Sequence, residues 1–122
     1  MTKILIVDDA NTIRMQLRDI LESEGYDVVE GVHGADGLAK AQENTDIDLI
    51  ITDYNMPEMD GVAMCRKIKE IDAHSKVPMF MLTTESTSDL KELGKQVGVM
   101  AWIVKPFNED KLKLVIKKVL KL

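Results

Sequence analysis

The sequence predicts an α/β fold in which five strand–helix units form one open, doubly wound parallel sheet with helices on both faces, a three-layer sandwich. Short apolar runs alternate with stretches of helical periodicity along the chain. The apolar runs are continuous rather than alternating, which is typical of strands buried on both faces. The chain has 122 residues and contains no linker or low-complexity tract, so we expect a single domain over residues 1–122.

The strands are predicted from five apolar runs. Four of them are solid, and the second is weaker because an acidic residue lies at each end of its valine pair. Strands that alternate with helices pair in parallel through right-handed crossovers. The five runs are Ile4–Val7, Tyr26–Glu30, Leu49–Ile51, Met79–Leu82 and Ala101–Val104.

A helix is predicted after each strand, with an apolar stripe that is expected to face the core. The second helix, at Ala35–Glu43, has the weakest stripe. The stripes of the other four consist of Ile13, Leu17, Ile20 and Leu21; of Cys65, Ile68 and Ile71 or Asp72; of Leu90, Leu93 and Val97; and of Leu112, Val115, Ile116 and Val119.

Capping residues mark the ends of four helices. Glycine readily adopts the left-handed conformation that ends a helix, so Gly25 and Gly98 are expected to end the first and fourth. The expected N-caps of the third, fourth and fifth helices are Asp60, Ser86 or Thr87, and Asn108.

Composition excludes several classes of protein. The formal net charge of −5 disfavours binding to nucleic acid or to an anionic membrane. The N-terminal apolar run is too short for a signal peptide or a membrane span, so we expect a cytoplasmic protein. The single cysteine, Cys65, excludes a disulfide framework and is expected in the core. His33 and His74 are isolated, cannot complete a zinc site with one cysteine, and are expected at the surface.

Polar residues follow four of the predicted strands directly. In doubly wound sheets, ligands bind beyond the carboxyl ends of the strands. Because these ends meet at one edge of a parallel sheet, we expect the polar side chains to lie close together. They are Asp8 and Asp9 after the first strand, Asp53 after the third, Thr83 after the fourth and Lys105 after the fifth.

This combination of residues indicates phosphoryl chemistry. Carboxylates at close range repel one another by roughly 1–4 kcal/mol per pair, so three of them require a counter-charge. A few hard oxygen ligands suit Mg²⁺, which leaves room for a phosphate. A carboxylate can attack phosphorus and form an aspartyl phosphate, while a lysine and a hydroxyl help to neutralise the transferred group. The chain has no glycine-rich phosphate loop, which argues against nucleotide binding.

The sequence resembles the receiver domain of two-component response regulators over essentially its whole length. The segments "ILIVDD", "DLIITDYNMPEMDG", "MLTTES" and "WIVKPF" match the motifs of that family in order and spacing. The resemblance implies a flavodoxin-like (βα)5 fold with the strand order 2-1-3-4-5. The last two segments look most like the stand-alone chemotaxis type.

The resemblance also implies a role for each site residue. Asp53 would be the phospho-acceptor. Asp8 and Asp9 would hold Mg²⁺, together with Asp53 and the backbone carbonyl of Asn55. Lys105, after which a cis bond to proline is implied, would pair with the phosphoryl oxygens. Pro57 and Gly61 would shape a tight loop after the acceptor, and Thr83 would bond the phosphoryl group.

A switch is implied between Thr83 and Trp102. The family usually carries Tyr or Phe at the position of Trp102, and that ring moves inward when the threonine is drawn toward the phosphate. Thr84 stands where many relatives have a small residue, and Asn55 and Glu85 occupy variable positions associated with the dephosphorylation rate. We call the expected output region the readout surface, which comprises Leu90–Val97, Ala101–Val104 and Leu112–Val119.

These roles imply a phospho-switched binding protein rather than an enzyme acting on other substrates. The expected partners are a histidine kinase of the chemotaxis type, the flagellar motor switch or another downstream protein, and a phosphatase. We expect a monomer with no output domain, so that output comes from binding another protein. Nucleic acid and membrane are not expected as partners.

Three other functions are compatible with parts of this pattern. A phosphorelay intermediate would pass the phosphoryl group to a histidine phosphotransferase. A phosphohydrolase of the haloacid dehalogenase type uses similar residues, but its nucleophile lies on the first strand and its acidic pair comes late. A flavodoxin-like flavin carrier needs a phosphate-binding loop where this chain has the acidic segment "DDANT".

Overall fold

The computed structural model describes residues 1–122 and contains one sheet of five parallel strands. The strand order is 2-1-3-4-5, which confirms the predicted fold. Observed and predicted strands agree within two residues at each end, and the largest difference is the earlier start of the fifth strand. The strands are β1 (Lys3–Val7), β2 (Asp27–Gly31), β3 (Leu49–Thr52), β4 (Met79–Thr83) and β5 (Val99–Val104).

Five α-helices connect and follow the strands, as predicted. A short 3-10 turn, Asp72–His74, follows the third helix. None of the helices has both the length and the hydropathy needed to cross a membrane. The helices are α1 (Asn11–Ser23), α2 (Gly34–Glu43), α3 (Gly61–Lys69), α4 (Ser88–Gln96) and α5 (Glu109–Leu120).

The helix ends follow the capping prediction. The side chains of Asp60, Thr87 and Asn108 accept hydrogen bonds from backbone N–H groups in the first turns of α3, α4 and α5. The two glycines after α1 and α4 adopt positive φ angles, +84° at Gly25 and +97° at Gly98. His33 lies at the surface, as predicted, and its Nδ1 caps α2.

The core has two parts, one on each face of the sheet. One face packs against α1 and α5, where Leu17, Leu21, Leu112 and Ile116 are buried. The other face packs mainly against α2 and α3 and includes Cys65, which is fully buried as predicted. Each large apolar side chain removed from water contributes about 1.5–3 kcal/mol, so the two faces together hold the strand ends in place.

Two side chains lie elsewhere than predicted. His74 was expected at the surface, but it is fully buried and its Nε2 donates to the carbonyl oxygen of Ala41 at 2.8 Å. This hydrogen bond attaches the 3-10 turn to α2. Leu93 was expected in the core, but it is 41% exposed. The reason is that α4 approaches β5 through the neighbouring Gly94, where a Cβ atom would lie only 3.0 Å from the ring of Trp102.

Candidate functional site

The carboxyl ends of β1 and β3 bring two of the predicted acidic residues together. The N–H of Asp8 donates to the carbonyl of Gly31 at the end of β2, and the N–H of Asp53 donates to the carbonyl of Val7 at 2.9 Å. Sheet hydrogen bonding therefore continues one residue past each strand. This pairing places the side chains of both acids at the carboxyl edge of the sheet.

Asp8, Asp9 and Asp53 form a compact acidic cluster. One carboxylate oxygen from each lies within 4.8 Å of the others. Asp8 is 1% exposed and Asp53 8% exposed, whereas Asp9 faces solvent. The convergence of these three acids follows directly from the predicted sheet order, because β1 and β3 are neighbours.

Lys105 lies against this cluster. Its Nζ is 2.7 Å from Oδ2 of Asp8 and 3.3 Å from Oδ2 of Asp53, and its side chain is 14% exposed. Its backbone N–H donates to the carbonyl of Thr83, which extends the pairing of β4 and β5 up to the site. The following peptide bond, to Pro106, is cis, as the family resemblance implied.

The charges in the cluster do not balance. Burial raises the pKa of Asp8 above its ordinary value, although the ammonium of Lys105 acts in the opposite direction. Burial alone would lower the pKa of Lys105, but its hydrogen bond to Asp8 and the charges of Asp8 and Asp53 outweigh that effect and raise it. Three carboxylates around one ammonium leave an excess negative charge that favours a bound cation.

The donor set fits a hard divalent cation. Three carboxylates, one of them open to solvent, offer oxygen ligands and leave positions for water, which is the coordination that Mg²⁺ prefers. Asn55 lies in the loop above the acceptor, where its N–H approaches Oδ1 of Asp53 at 3.4 Å. No nitrogen or sulfur ligand lies within the cluster, so a softer metal would be a poorer fit.

The loop after Asp53 returns close to its own start. The N–H of Gly61 donates to the carbonyl of Tyr54 at 2.8 Å. A Cβ atom on Gly61 would lie only 2.2 Å from the carbonyl oxygen of Asp53. Glycine is therefore required at this position by close backbone approach, and α3 can begin directly beside the acceptor.

Thr83 and Trp102 are linked through the backbone of Glu85. The fully buried Thr83 accepts a hydrogen bond at Oγ1 from the N–H of Glu85 at 3.3 Å. The indole Nε1 of Trp102 donates to the carbonyl of the same residue at 2.7 Å. The start of the loop between β4 and α4 is thus attached to both residues of the predicted switch.

Sequence reasoning missed the role of Arg14 and Glu30. The guanidinium of Arg14 donates to the main-chain carbonyl of Asp8 and pairs with Glu30 at the end of β2. An arginine one turn into the helix that follows two aspartates was the available signal. Its partner on β2 becomes adjacent only when that strand pairs with β1.

The largest cavity, about 560 Å³, lies away from the acidic cluster. It is open, and it is lined mainly by polar and basic residues at the ends of α3 and α4, among them Arg66, Lys69 and Lys95. It touches none of the site residues. The acidic cluster itself is open to solvent on the side of Asp9.

Comparison with known proteins identifies the class of protein that this fold and cluster define. Residues 4–117 match the response regulator receiver domain, and the chain belongs to that family. It is 38% identical to chemotaxis protein CheY1 of Helicobacter pylori over 112 residues. That alignment covers 91% of this chain and 90% of that protein. It is therefore a receiver domain of the CheY type.

Solved structures agree with this assignment. Chemotaxis protein CheY4 of Vibrio cholerae superposes with a TM-score of 0.92 at 39% identity, covering 98% of both chains. The receiver domain of the sensor histidine kinase PA1611 of Pseudomonas aeruginosa gives a TM-score of 0.88 at 25% identity, covering 99% of this chain and 98% of that one. That second structure has a magnesium ion coordinated in its active-site cleft.

Proposed function

We propose that this chain is a phosphorylation-controlled switch in which Asp53 accepts a phosphoryl group from a phosphohistidine of a histidine kinase. The observation that carries the proposal is the joint position of three carboxylates and Lys105 at one edge of the sheet. Membership of the receiver family supports the same reading. The other reactions considered, ester hydrolysis by a haloacid dehalogenase type and flavin binding, find no such support.

In the proposed reaction, a carboxylate oxygen of Asp53 forms a bond to phosphorus while the phosphorus–nitrogen bond of the phosphohistidine breaks. The electron pair of that bond leaves with the imidazole, which takes up a proton. Lys105 bonds an oxygen of Asp53 and thereby orients the carboxylate. Its ammonium is then available to the transferred phosphoryl oxygens, as is the hydroxyl proton of Thr83.

Asp8, Asp9, Asp53 and the backbone carbonyl of Asn55 would hold Mg²⁺. When bound, this ion supplies positive charge that offsets the phosphoryl oxygens and the acceptor carboxylate. The excess negative charge of the cluster supports this assignment, as does the magnesium ion in the P. aeruginosa receiver domain. Attack of water on the phosphorus of phospho-Asp53 would later release inorganic phosphate, so the chain would catalyse only its own phosphorylation and dephosphorylation.

The proposed output is binding of a partner in the cytoplasm through the readout surface. Four of the eight exposed large apolar side chains lie on or beside it: Leu93 on α4, Met100 and Val104 on β5, and Leu114 on α5. Exposed apolar groups in one region indicate an interaction site. The similarity to chemotaxis proteins favours the flagellar motor switch as the partner and a chemotaxis kinase as the donor.

The acceptor assignment is tested by mass spectrometry after treatment with acetyl phosphate and Mg²⁺. We expect one phosphoryl adduct, mapped to Asp53, and no adduct on Asp53→Asn. Asp60→Asn is the matched control, because Asn preserves the cap of α3 and this residue is no part of the cluster. Labelling that persists in Asp53→Asn would contradict the assignment.

The partner is tested separately with the beryllofluoride-activated chain. Activated protein should bind the motor switch protein more tightly than untreated protein, and Leu114→Ser should weaken that binding. If activated protein instead passes its phosphoryl group to a histidine phosphotransferase and ignores the motor switch, the chain is a phosphorelay intermediate.

A further inference from the structure

The guanidinium of Arg14 bonds the peptide group that joins Asp8 to Asp9. Its Nη1 donates to the main-chain carbonyl oxygen of Asp8 at 2.6 Å. Hydrogen bonds from a charged donor are shorter and stronger than those between neutral groups. The N–H of Asp8 is fixed by the sheet, through the carbonyl of Gly31, so Arg14 supplies the corresponding restraint on the other side of this residue.

Arg14 is itself held from two directions. Its Nε is 3.3 Å from Oε1 of Glu30 at the end of β2, and its Nη2 donates to the side chain of Asn11 at 3.1 Å. Only 11% of its side chain is exposed. A planar guanidinium loses little side-chain entropy for each hydrogen bond that it makes. Arg14 therefore links β2, α1 and the acidic pair through a side chain with a fixed orientation.

The two acids differ in what orients them. Asp8 bonds Lys105 with one oxygen and the N–H of Ala10 with the other. The carboxylate of Asp9 makes no hydrogen bond or ion pair with the protein and is exposed. The position of this carboxylate therefore depends on the backbone of Asp9. Arg14 restrains the peptide group that precedes Asp9.

We propose that Arg14, anchored by Glu30, is a positioning residue of the metal site that aims the carboxylate of Asp9 by fixing the Asp8–Asp9 peptide. The proposal rests on the Mg²⁺ site of the proposed function. Arg14 is not one of the residues that would hold the cation, and it would act through Asp9. Partners of this kind, one contact removed from the metal, typically affect metal affinity by tenfold or more.

Arg18 provides a matched control on the same helix. Its Nε is 2.6 Å from Oε2 of the same Glu30, and its Nη1 is 2.9 Å from Glu22. It makes no hydrogen bond to Asp8 or Asp9. Arg18→Met thus removes an ion pair to Glu30 but leaves the hydrogen bond to the Asp8 carbonyl in place. Arg14→Met removes an ion pair to Glu30 and also that hydrogen bond.

The test is a calorimetric titration of the full chain with Mg²⁺ alone. It compares four proteins: the unaltered protein, Arg14→Met, Arg14→Lys and Arg18→Met. We expect Arg14→Met to weaken binding by about tenfold and Arg14→Lys by less. Arg18→Met should bind as the unaltered protein does. In metal-free protein, the amide ¹⁵N resonance of Asp9 should shift more in Arg14→Lys than in Arg18→Met, which provides a readout if Arg14→Met does not fold.

Equal Mg²⁺ affinity in Arg14→Lys and the unaltered protein, without a shift of the Asp9 resonance, would overturn the proposal. An equal loss of affinity in both arginine-to-methionine variants would also overturn it, because it would trace the effect to Glu30 pairing alone. If the unaltered protein itself bound no Mg²⁺, both this proposal and the metal site of the proposed function would fail. Mg²⁺ binding by the unaltered protein therefore shows whether a failure concerns the metal site itself or only the role of Arg14.

Discussion

The indole N–H of Trp102 donates to the main-chain carbonyl of Glu85 at 2.7 Å, which joins the edge strand β5 to the loop that leaves β4. The N–H of Glu85 donates in turn to the hydroxyl of Thr83. A ligand that draws the Thr83 hydroxyl toward Asp53 is expected to weaken or rearrange the second of these bonds. We therefore predict that the position of the only tryptophan changes with the occupancy of the site.

This coupling predicts a fluorescence signal. Beryllofluoride with Mg²⁺, which mimics the phosphoryl group, should change the emission of Trp102 because the indole environment and its hydrogen bond change. Thr83→Val should still be labelled by acetyl phosphate but should lose most of that fluorescence change. Asp53→Asn should show neither effect. An unchanged response in Thr83→Val would contradict transmission through the hydroxyl.

Charge repulsion in the acidic cluster predicts that Mg²⁺ stabilises the fold. A ligand that binds only the folded state adds RT ln(1 + [L]/Kd), about 2.7 kcal/mol when its concentration is a hundred times Kd. We expect the melting temperature to rise with millimolar Mg²⁺. Asp9→Asn should melt higher than the unaltered protein in EDTA, because a like charge is removed, and should gain little from the ion. No rise for the unaltered protein would argue against the site.

Two glycines predict different consequences of adding a methyl group. Gly61→Ala places a Cβ atom against the carbonyl of Asp53 and should lower the free energy of unfolding by about 1–3 kcal/mol while slowing phosphorylation. Gly25→Ala meets open space but must adopt a positive φ, at a cost of roughly 1 kcal/mol without any effect on phosphorylation. Urea denaturation and acetyl phosphate labelling of both variants check the contrast. Equal labelling rates would refute it.

Burial raises the pKa of the Cys65 thiol to about 12 and predicts that it is inert in the folded protein. Because the folded pKa lies above the unfolded value, the stability that this thiol contributes is fully present below about pH 8.5 and is lost as the pH rises toward 12. Iodoacetamide at pH 8 should modify the folded chain far more slowly than the chain in guanidinium. Comparable rates would show that the helix α3 opens readily.

Most of the fold was predictable because its signals are local. Continuous apolar runs identify strands buried on both faces, and capping residues such as Asp60 and Asn108 identify where helices begin. The acidic cluster was predictable for a related reason: parallel strands place whatever follows them at one edge of the sheet. The order of the strands came from the resemblance, since periodicity alone does not determine which strands are neighbours.

The remainder depends on tertiary contacts that a local pattern does not encode. The polar ring of His74 predicts a surface position, but the carbonyl of Ala41 on α2 accepts a hydrogen bond from the ring and makes its burial tolerable. Leu93 follows a core-like period, yet the helix turns its small neighbour Gly94 toward β5. Arg14 acquires its role only when β2 places Glu30 beside it.

The position of the Lys105 ammonium between Asp8 and Asp53 has a consequence for the order of folding and metal binding. Some small proteins stay unfolded until an inorganic ion arrives, because nothing else offsets the charges that folding brings together. Here the ammonium of Lys105 partly offsets the charges of Asp8 and Asp53, so we expect the sheet to assemble without a bound cation. Removal of the proposed Mg²⁺ should then block phosphorylation while the chain stays folded, although with a lower melting temperature.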